Sequence, residues 1–573
     1  MARFQGDRAS PFFLVHYFLL TAILGFGTLL RFWQLDRKPL WVDEIITALF
    51  GLGRGFETLP LERVLAIDEV PNIFTLNSQT QCGDIFNYLA TQSTHPPLFF
   101  CALHQWLLRI DGWDVSLAWK LRSFPALLGV MAIAAMYLLN RLAFSRQAGL
   151  MGAAVMAVSP FAVYLSQEAR HYTLPILLLI LALCCLILIQ KQLHNKHISP
   201  LPWLLWGIIN SVGIYVHYFY IFALFAQSIT LFFILYRTPK IRLDRLILPF
   251  VCAIAPFTFY LPWLPVLLEH FNNPTTSWLP SPHFLLSILQ TISGWSLMLM
   301  VLPVEKQPIW VQIPSILLTL AFMSWAIAYF LRGWKKLYAS PKTKESTLTL
   351  SCFTLCVLLE FAAIVYLLGK DISIAPRYHF IYFPGFCALI GASFNTSPSS
   401  PQQAEQSRSP APLFLILVGA IGSLCVIFNL AFHKPYYPLR IAQQFDRTDA
   451  PVLVMMAYEN TQEIAAGLGY ALALAQIRSD RLAYFTLLNK TDFGGFEYIW
   501  RSLGKISLSP ASFWAIVPGY VEESYPLEIT LKNRNCQIDP KEHYRIGGYP
   551  YQLYHCDRDR NAESLGEQSS KPD

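Results

Sequence analysis

Two adjacent carboxylates are the first groups in this sequence that could do chemistry. Asp43 and Glu44 follow Trp41 in the stretch LWVDEIITALFGLG, where an amphipathic helix is predicted to begin. A carboxylate at a membrane–water boundary can act as a general base or bind a cation. The alternative is that both are ordinary N-terminal helix charges, which the helix dipole stabilises.

Five short segments add basic and aromatic side chains beside long apolar runs. The candidate residues are His95 in STHPPLFF, Arg122 in LRSFP, Glu168, Arg170, His171 and Tyr172 in SQEARHYTLP, His217 in VHYFY, and Arg377 and Tyr378 in APRYHF. Ionisable groups this close to a membrane span are costly and usually functional. Each also has a simpler interpretation: a lone interfacial histidine commonly has no further role, and Arg122 could snorkel instead of binding an anion.

Composition places these groups in a membrane protein. Of the 573 residues, 54% are hydrophobic and only 14% are charged, whereas soluble proteins average about 25% charged. The net charge of +7 comes from basic residues spread over short loops, as the positive-inside rule describes, so a nucleic-acid partner is not expected. The sequence has no cysteine and histidine spacing typical of a zinc site.

The elements that must position these residues are membrane helices. A crossing helix needs about 20 apolar residues, because its backbone must satisfy its own hydrogen bonds in lipid. The sequence predicts about eleven such spans, near residues 11–31, 121–143, 148–165, 173–190, 201–217, 219–236, 246–265, 311–331, 347–368, 379–394 and 412–432. Two shorter apolar stretches, Pro96–Leu108 and Phe284–Pro303, are interpreted as juxtamembrane helices.

The charges of the loops set the orientation of the spans. With the two shorter stretches left out of the count, the basic loops all fall on one side, which the positive-inside rule assigns to the cytoplasm. These loops carry Arg141 and Arg146, Lys191 and Lys196, the run 237–245, and Arg332, Lys335 and Lys336. The N-terminus is then cytoplasmic, and a long first outer loop (32–119) shares the outer face with the other candidate residues.

The sequence after residue 432 has a different character. Residues 433–573 are mixed polar without a spanning run, and the stretches VLVMM, FWAIV, ITLKN and YQLYHCD are predicted strands around a helix from about Thr461 to Gln476. The predicted fold is a polytopic α-helical membrane domain (1–432) followed by a small extracytoplasmic α/β soluble domain (433–573).

Three further features concern the loops and the C-terminal region. Residues 395–410, rich in Ser, Pro and Gln, and the polar tail from Arg558 are expected to be flexible or disordered. Cys536 and Cys556 lie outside the apolar runs that hold most other cysteines. They could form a disulfide if the domain faces an oxidising compartment.

The candidate residues have complementary charges. Arginines near lipid head groups suit an anionic lipid phosphate, and a carboxylate opposite them suits deprotonation of an acceptor hydroxyl. This is the pattern that a sugar transferase using a lipid phosphate would need, because the arginines would stabilise charge on the leaving phosphate.

The sequence resembles the GT-C superfamily of integral membrane glycosyltransferases, in the branch of the bacterial relatives of protein O-mannosyltransferases and lipid A aminoarabinose transferases. The motifs that carry the resemblance are LWVDE (40–44), THPPL (94–98), LRSFPALLG (121–129), SPFAVYLSQEARHYTL (159–174) and PRYHF (376–380). The resemblance covers residues 1–394, most strongly 25–190, and does not extend over the C-terminal domain.

The resemblance implies roles for several residues. Asp43 matches the family's acidic residue of the first outer loop, taken as catalytic base or acceptor-orienting group, with Glu44 as its companion. His95 precedes the Pro-Pro that opens a juxtamembrane helix, and the 168–172 segment matches the loop next to the donor phosphate. The implied reaction inverts the anomeric carbon of a polyprenyl-phosphate sugar. The metal-binding aspartates of oligosaccharyltransferase-type members have no counterpart, so we expect no metal or other cofactor, although a divalent ion stays open.

Two other classes of protein are alternatives to a transferase of the plasma (inner) membrane. A transporter or lipid flippase would fit a polytopic chain, but no internal repeat or matching pair of broken helices is present. A receptor or sensor would use the C-terminal domain, yet the polar groups cluster in the membrane part. The acceptor, whether protein, lipid or glycan, is not specified by the sequence.

Overall fold

The computed structural model describes residues 11–194, 199–237, 247–271, 279–395, 410–448, 451–477, 482–491, 495–520, 525–531, 534–546 and 548–557. Lys196, the basic run 238–245, most of the predicted flexible loop 395–410 and the tail from Arg558 lie outside these residues. Within them the chain forms two compact units, each built from several stretches of sequence. The helical unit comprises Met1–Asp36, Leu89–Trp106 and Trp119–His433, and the sheet unit comprises Arg37–Tyr88, Leu107–Ala118 and Lys434–Asp573.

The α-helices are numbered in chain order. They are α1 (Pro11–Phe32), α2 (Val42–Gly51), α3 (Val70–Ile73), α4 (Cys82–Gln92), α5 (Leu98–Ile110), α6 (Leu117–Ala143), α7 (Arg146–Val158), α8 (Pro160–Ser166), α9 (Thr173–His194), α10 (Pro200–Ile214), α11 (Tyr220–Arg237), α12 (Ile247–Tyr260), α13 (Leu264–Phe271), α14 (Phe284–Leu299), α15 (Ile309–Ala339), α16 (Lys344–Tyr366), α17 (Phe383–Phe394), α18 (Ala411–Ile427), α19 (Pro438–Asp446), α20 (Thr461–Ile477) and α21 (Phe496–Leu503). Short 3-10 turns, including Ile372–Ile374 and Pro376–Ile381, connect some of them.

The helical unit is a multi-pass membrane bundle. Among the described residues, seven helices are long and apolar enough to cross a membrane, or eight if the bent pair α7–α8 is one span. Every predicted span overlaps one of the helices listed above. The number eleven stays a prediction, because α10, α17 and α18 have only 15, 12 and 17 residues. The two stretches assigned to juxtamembrane helices correspond to α5 and α14, with 13 and 16 residues.

A sharp bend separates α7 from α8. Ser159 and Pro160 follow the last residue of α7, and the axes of the two helices differ by 59°. Proline fits the first position of a helix, where its missing N–H is not needed. The Ser159 hydroxyl oxygen caps α8 by accepting a hydrogen bond from the Ala162 N–H at 3.3 Å. The Ser-Pro pair therefore starts a new helix in a new direction.

The bend frees backbone carbonyls at the end of α7, and side chains from other helices bind them. Arg31 of α1 is fully buried and donates to the carbonyls of Met156 and Ala157 at 2.9 and 3.0 Å. The Ser423 hydroxyl of α18 donates to the Val158 carbonyl at 2.8 Å. Because unpaired backbone groups are costly in lipid, these bonds stabilise the broken span.

The sheet unit contains one seven-stranded sheet in the order β1-β3-β2-β4-β7-β6-β5. The strands are β1 (Leu65–Ala66), β2 (Val452–Tyr458), β3 (Ala483–Asn489), β4 (Ser512–Ile516), β5 (Glu528–Leu531), β6 (Arg534–Ile546) and β7 (Tyr549–Cys556). The central strand β2 runs parallel to β3 and β4, and the other pairings are antiparallel. All seven residues of β2 are buried, as expected for a parallel strand covered on both faces.

The predicted C-terminal elements occur in the structure with additions. β2, α20, β4, β5 and β7 overlap the predicted segments, and residues 532–533 of the predicted strand ITLKN lie outside the described residues. The strands β1, β3 and β6 were not predicted. Cys536 and Cys556 lie directly opposite each other on β6 and β7 and form a disulfide.

Candidate functional site

The turn between α8 and α9 is held by the end of α1. Gln167, the first residue after α8, donates from its side-chain amide to the carbonyls of Leu30 and Trp33 at 3.2 and 3.1 Å. Those carbonyls belong to the last turn of α1 and to the residue that follows it, where a helix has no partners of its own. The bend of α7–α8 and this anchor together place the segment 168–172.

Five basic side chains of the helical unit form a group that we call the histidine–arginine cluster: buried Arg170, His171 and His217, and half-buried His95 and Arg377. The His171 ring lies between the other two imidazoles, with centroids 4.9 Å from His95 and 4.6 Å from His217. An Arg170 terminal nitrogen lies 3.2 Å from Nε2 of His95. The structure thus brings together candidates from four separate segments of the sequence.

The hydrogen bonds of two of these histidines define their neutral forms. A guanidinium can only donate, so Nε2 of His95 accepts from Arg170, and Nδ1 of His95 donates to the Ser93 hydroxyl at 3.0 Å. Nδ1 of His217 accepts from the Phe219 N–H at 3.0 Å. A protonated imidazole could not accept either bond, so the geometry selects uncharged rings.

Electrostatics favours the same neutral state. His95, His171 and His217 all lie in loops or turns outside the helices. Their pKa values are well below the usual range of histidine. Burial is the main cause, because a charged imidazole loses its hydration. The neighbouring imidazoles and the guanidiniums of Arg170 and Arg377 lower these pKa values further. The fixed positive charge of the cluster therefore resides on its two arginines.

Aromatic rings enclose the cluster. The Tyr172 ring stacks on His171 at 5.0 Å, and the Arg170 guanidinium lies 5.9 Å from the Tyr172 centroid. Arg377 lies 5.5 Å from the Tyr378 ring centroid. Tyr172 and Tyr378 lie within cation–π distance of Arg170 and Arg377, so they help to hold the two guanidiniums in place.

A second polar chain, which the sequence analysis did not identify, lies near the cluster. The Trp263 indole N–H donates to the Tyr218 hydroxyl at 3.1 Å, and that hydroxyl contacts Nδ1 of His270 at 2.7 Å. Nε2 of His270 is 3.0 Å from the Ala90 carbonyl. VHYFY was recognised as a polar segment, but Trp263, His270 and Ala90 are distant in sequence and gave no local signal.

Two candidates of the helical unit have different surroundings. Arg122 is 2% exposed and donates to the Leu35 carbonyl at 2.9 Å, so its side chain does not snorkel to solvent. Glu168 is buried, and its carbonyl accepts the Arg170 N–H at 2.7 Å. That bond tightens the turn that carries Arg170.

Asp43 and Glu44 belong to the sheet unit. Both lie in the first turn of α2, as predicted, with Asp43 half-buried and Glu44 fully buried. Glu44 accepts a hydrogen bond from the Trp41 N–H at 3.3 Å, a contact that satisfies an otherwise unpaired donor at the helix start. This bond gives Glu44 a capping role, whereas the Asp43 carboxylate lies one position nearer the helix start.

No group of three or more His, Cys, Asp or Glu side chains among the described residues has a geometry that could hold a metal ion. The three imidazoles of the cluster contact one another through their rings. The expectation of no metal stays a prediction.

Comparison with known proteins supports this architecture. Residues 94–265, less than half of the chain, match the family model described as dolichyl-phosphate-mannose-protein mannosyltransferase. No curated protein sequence gives a significant match. The crystal structure of ArnT from Cupriavidus metallidurans bound to undecaprenyl phosphate aligns with a TM-score of 0.51 and 12% identity, covering 93% of this chain and 97% of that chain. The apo structure of the same enzyme also has a TM-score of 0.51 at 12% identity, covering 96% and 98%.

These matches define the class of fold. The chain shares the GT-C fold of ArnT over nearly its whole length. The resemblance inferred from short motifs is thereby confirmed at the level of the fold. The matched family segment, 94–265, contains most of the histidine–arginine cluster, including His95, Arg170, His171 and His217.

Proposed function

We propose that this protein is an integral membrane glycosyltransferase that moves a sugar from a polyprenyl-phosphate donor to an acceptor outside the cytoplasm. The observation that carries the proposal is the pair of arginines, buried Arg170 and half-buried Arg377, beside neutral histidines in a bundle with the ArnT fold. Two fixed cations in a water-poor site suit a phosphate group. The ArnT match bound to undecaprenyl phosphate supports a lipid-linked donor.

In the proposed reaction the Asp43 carboxylate accepts the proton of an acceptor hydroxyl. The hydroxyl oxygen bonds to the anomeric carbon of the sugar as the bond from that carbon to the phosphate oxygen breaks. The electron pair of the broken bond stays on the lipid phosphate, where Arg170 and Arg377 stabilise the added charge. A single displacement of this kind inverts the anomeric carbon. No step requires a metal or another cofactor.

The proposed setting is the plasma (inner) membrane. The N-terminus is assigned to the cytoplasm, and the C-terminal domain, residues 433–573, to the outer side. The distribution of basic loops supports this orientation, and a disulfide between Cys536 and Cys556 fits an oxidising compartment. The sugar and the acceptor are left to experiment.

The test is transfer from radiolabelled polyprenyl-phosphate sugars in membranes containing the wild-type protein or Asp43→Asn. The variant removes the base but keeps the size of the side chain, so we expect transfer to fall at least about 100-fold. Arg332→Gln changes an exposed arginine of α15 and serves as the control. Wild-type-like transfer by a stably expressed Asp43→Asn protein would contradict the role of Asp43. Movement of labelled lipid across the bilayer without any sugar transfer would instead favour a flippase.

A further inference from the structure

The helix that carries Asp43 packs against a helix from the far end of the chain. Within the sheet unit, α2 contacts α20, and Ile45, Ala48 and Leu49 on α2 are fully buried. Gly469 of α20 makes close approach possible. A methyl group at Gly469 would lie 3.6 Å from Ile45 and only 1.9 Å from the Tyr436 hydroxyl. No larger residue fits there without moving its neighbours.

A short segment before α19 fixes the start of α2. The Lys434 ammonium lies 4.0 Å from the ring centroid of Trp41, the residue that precedes α2. Two residues later, the Tyr436 hydroxyl donates to the Ala466 carbonyl of α20 at 3.1 Å, and its ring stacks on Tyr470 at 5.3 Å. Residues 434–436 therefore connect the first turn of α2 to α20 through a cation–π contact and a hydrogen bond.

The segment that follows α2 is attached to the same sheet. Glu62 accepts a hydrogen bond from the Asn489 N–H at 2.6 Å, and its own N–H donates to the Leu487 carbonyl at 3.1 Å. Three residues further on, β1 pairs with β3. The helix of Asp43 is thus held on its buried face, at its start and beyond its end by elements from the C-terminal part of the sequence.

We propose that the C-terminal domain positions Asp43 for catalysis, with Lys434, Tyr436 and Gly469 as positioning residues. This inference rests on the proposed function, in which Asp43 is the base. A base must lie within hydrogen-bond reach of the proton that it accepts, and small displacements cost large factors in rate. A rigid sheet whose strand β2 is completely buried is a suitable support for a helix of only ten residues.

The close approach at Gly469 allows a test with its own rescue. Gly469→Ala places a methyl group where the Tyr436 hydroxyl now lies and should displace α2 or residues 434–436. We expect kcat to fall about tenfold or more, with the KM for the lipid donor little changed. Tyr436→Phe removes the hydroxyl and its hydrogen bond to the Ala466 carbonyl but keeps the ring that stacks on Tyr470, so it should lower kcat less than Gly469→Ala does. The double variant Gly469→Ala/Tyr436→Phe has room for the methyl group and should recover most of the lost kcat.

Gly467→Ala is the matched control on the same helix. Its methyl group would meet Leu487, Met456 and Phe485 on the sheet side, so it should disturb the domain without moving α2. Hydrogen exchange of the α2 amides gives a readout that does not depend on activity. Exchange should rise in Gly469→Ala, return toward wild type in the double variant, and stay at the wild-type level in Gly467→Ala.

The outcomes separate this inference from the proposed function. If Asp43→Asn abolishes transfer while Gly469→Ala keeps both kcat and α2 exchange at wild-type values, the positioning role is overturned and the base survives. Equal losses of kcat in Gly469→Ala and Gly467→Ala would also overturn it, because they would indicate general destabilisation. If Asp43→Asn transfers normally, the role of Asp43 as the base is contradicted and the positioning inference is overturned with it, whereas the transferase function stands.

Discussion

At the scale of single residues, the site depends on neutral histidines beside permanent cations. His95 accepts from Arg170, so it orients the guanidinium without adding a charge that would repel it. The residue types identified the cluster from sequence, because ionisable groups next to apolar runs are rare and costly. Which groups touch could not be predicted, since His95 and Arg170 are 75 positions apart and only the fold places them together.

Arg170 is the residue whose replacement should affect the chemistry most directly in the helical unit. Arg170→Gln is expected to lower kcat for sugar transfer about 100-fold, the usual loss for one donor to developing charge. Arg170→Lys should recover part of the rate, because it keeps the charge but loses the planar fork. Initial rates with a polyprenyl-phosphate donor measure both. Equal rates for wild type and Arg170→Gln would remove Arg170 from the site.

The lowered pKa values of the cluster histidines also make the stability of the folded protein depend on pH. Histidines of the unfolded chain titrate near pH 6.5, whereas His95, His171 and His217 have pKa values lowered by burial. As pH falls below about 6.5, the unfolded state binds protons that the folded state does not, so the free energy of unfolding decreases.

Thermal unfolding of the detergent-solubilised protein between pH 7.5 and pH 5.5 measures this effect. The unfolding temperature should fall toward the acidic end, and His171→Phe should reduce the slope. His283→Phe, at an exposed position, is the matched control. A slope unchanged by His171→Phe would show that this histidine does not contribute to the acid sensitivity.

At the scale of elements, the broken span α7–α8 aims the turn that carries Arg170. The sequence predicted one span over 148–165, and the structure has two helices that differ in direction by 59°. The pair Ser159 and Pro160 is a local signal for a helix start, but it does not reveal which groups bind the freed carbonyls. Arg31 does so from 125 residues away, and in sequence it resembles a snorkelling residue at the end of the first span.

Arg31 should therefore matter for stability without contacting the proposed substrate. Arg31→Met leaves the carbonyls of Met156 and Ala157 without this donor, and each buried unpaired group costs about 1–3 kcal/mol. We expect a lower unfolding temperature and a proportionate loss of active protein, with the donor KM of the folded fraction unchanged. Arg141→Met, at an exposed site on α6, should unfold like wild type. An equally stable Arg31→Met protein would mean that the bend needs no such support.

At the scale of the whole molecule, each of the two compact units is built from stretches that are separate in the sequence. The helical bundle and the presence of a C-terminal α/β fold were predictable, because long apolar runs and a change in composition are strong signals. The sequence did not predict that Arg37–Tyr88 belongs to the sheet unit. Leu65 and Ala66 alone form β1, and two residues of ordinary character contain no pattern that predicts a strand partner such as β3.

The disulfide of the sheet unit tests the orientation of the protein. If this domain lies outside the cytoplasm, Cys536 and Cys556 should be oxidised in intact cells. Differential thiol labelling followed by peptide mass spectrometry should find both labelled only after reduction, with the buried thiol of Cys184 as a reduced reference. The double variant Cys536→Ser/Cys556→Ser should lose about 3 kcal/mol of stability in this domain. Free thiols at both positions in the native protein would contradict the outward orientation.

The pairing of Glu62 with Asn489 has a consequence for biosynthesis. The two residues are 427 positions apart, and synthesis proceeds at about 5–20 residues per second. At this rate the segment after α2 is synthesised about 20–90 seconds before the strand that completes its hydrogen bonds. During that interval Ile45 and Leu49, both fully buried in the finished protein, have no α20 to cover them. A nascent chain stalled before residue 450 should consequently expose this apolar face to chaperones and proteases. The sheet unit can reach its native form only during the last quarter of translation.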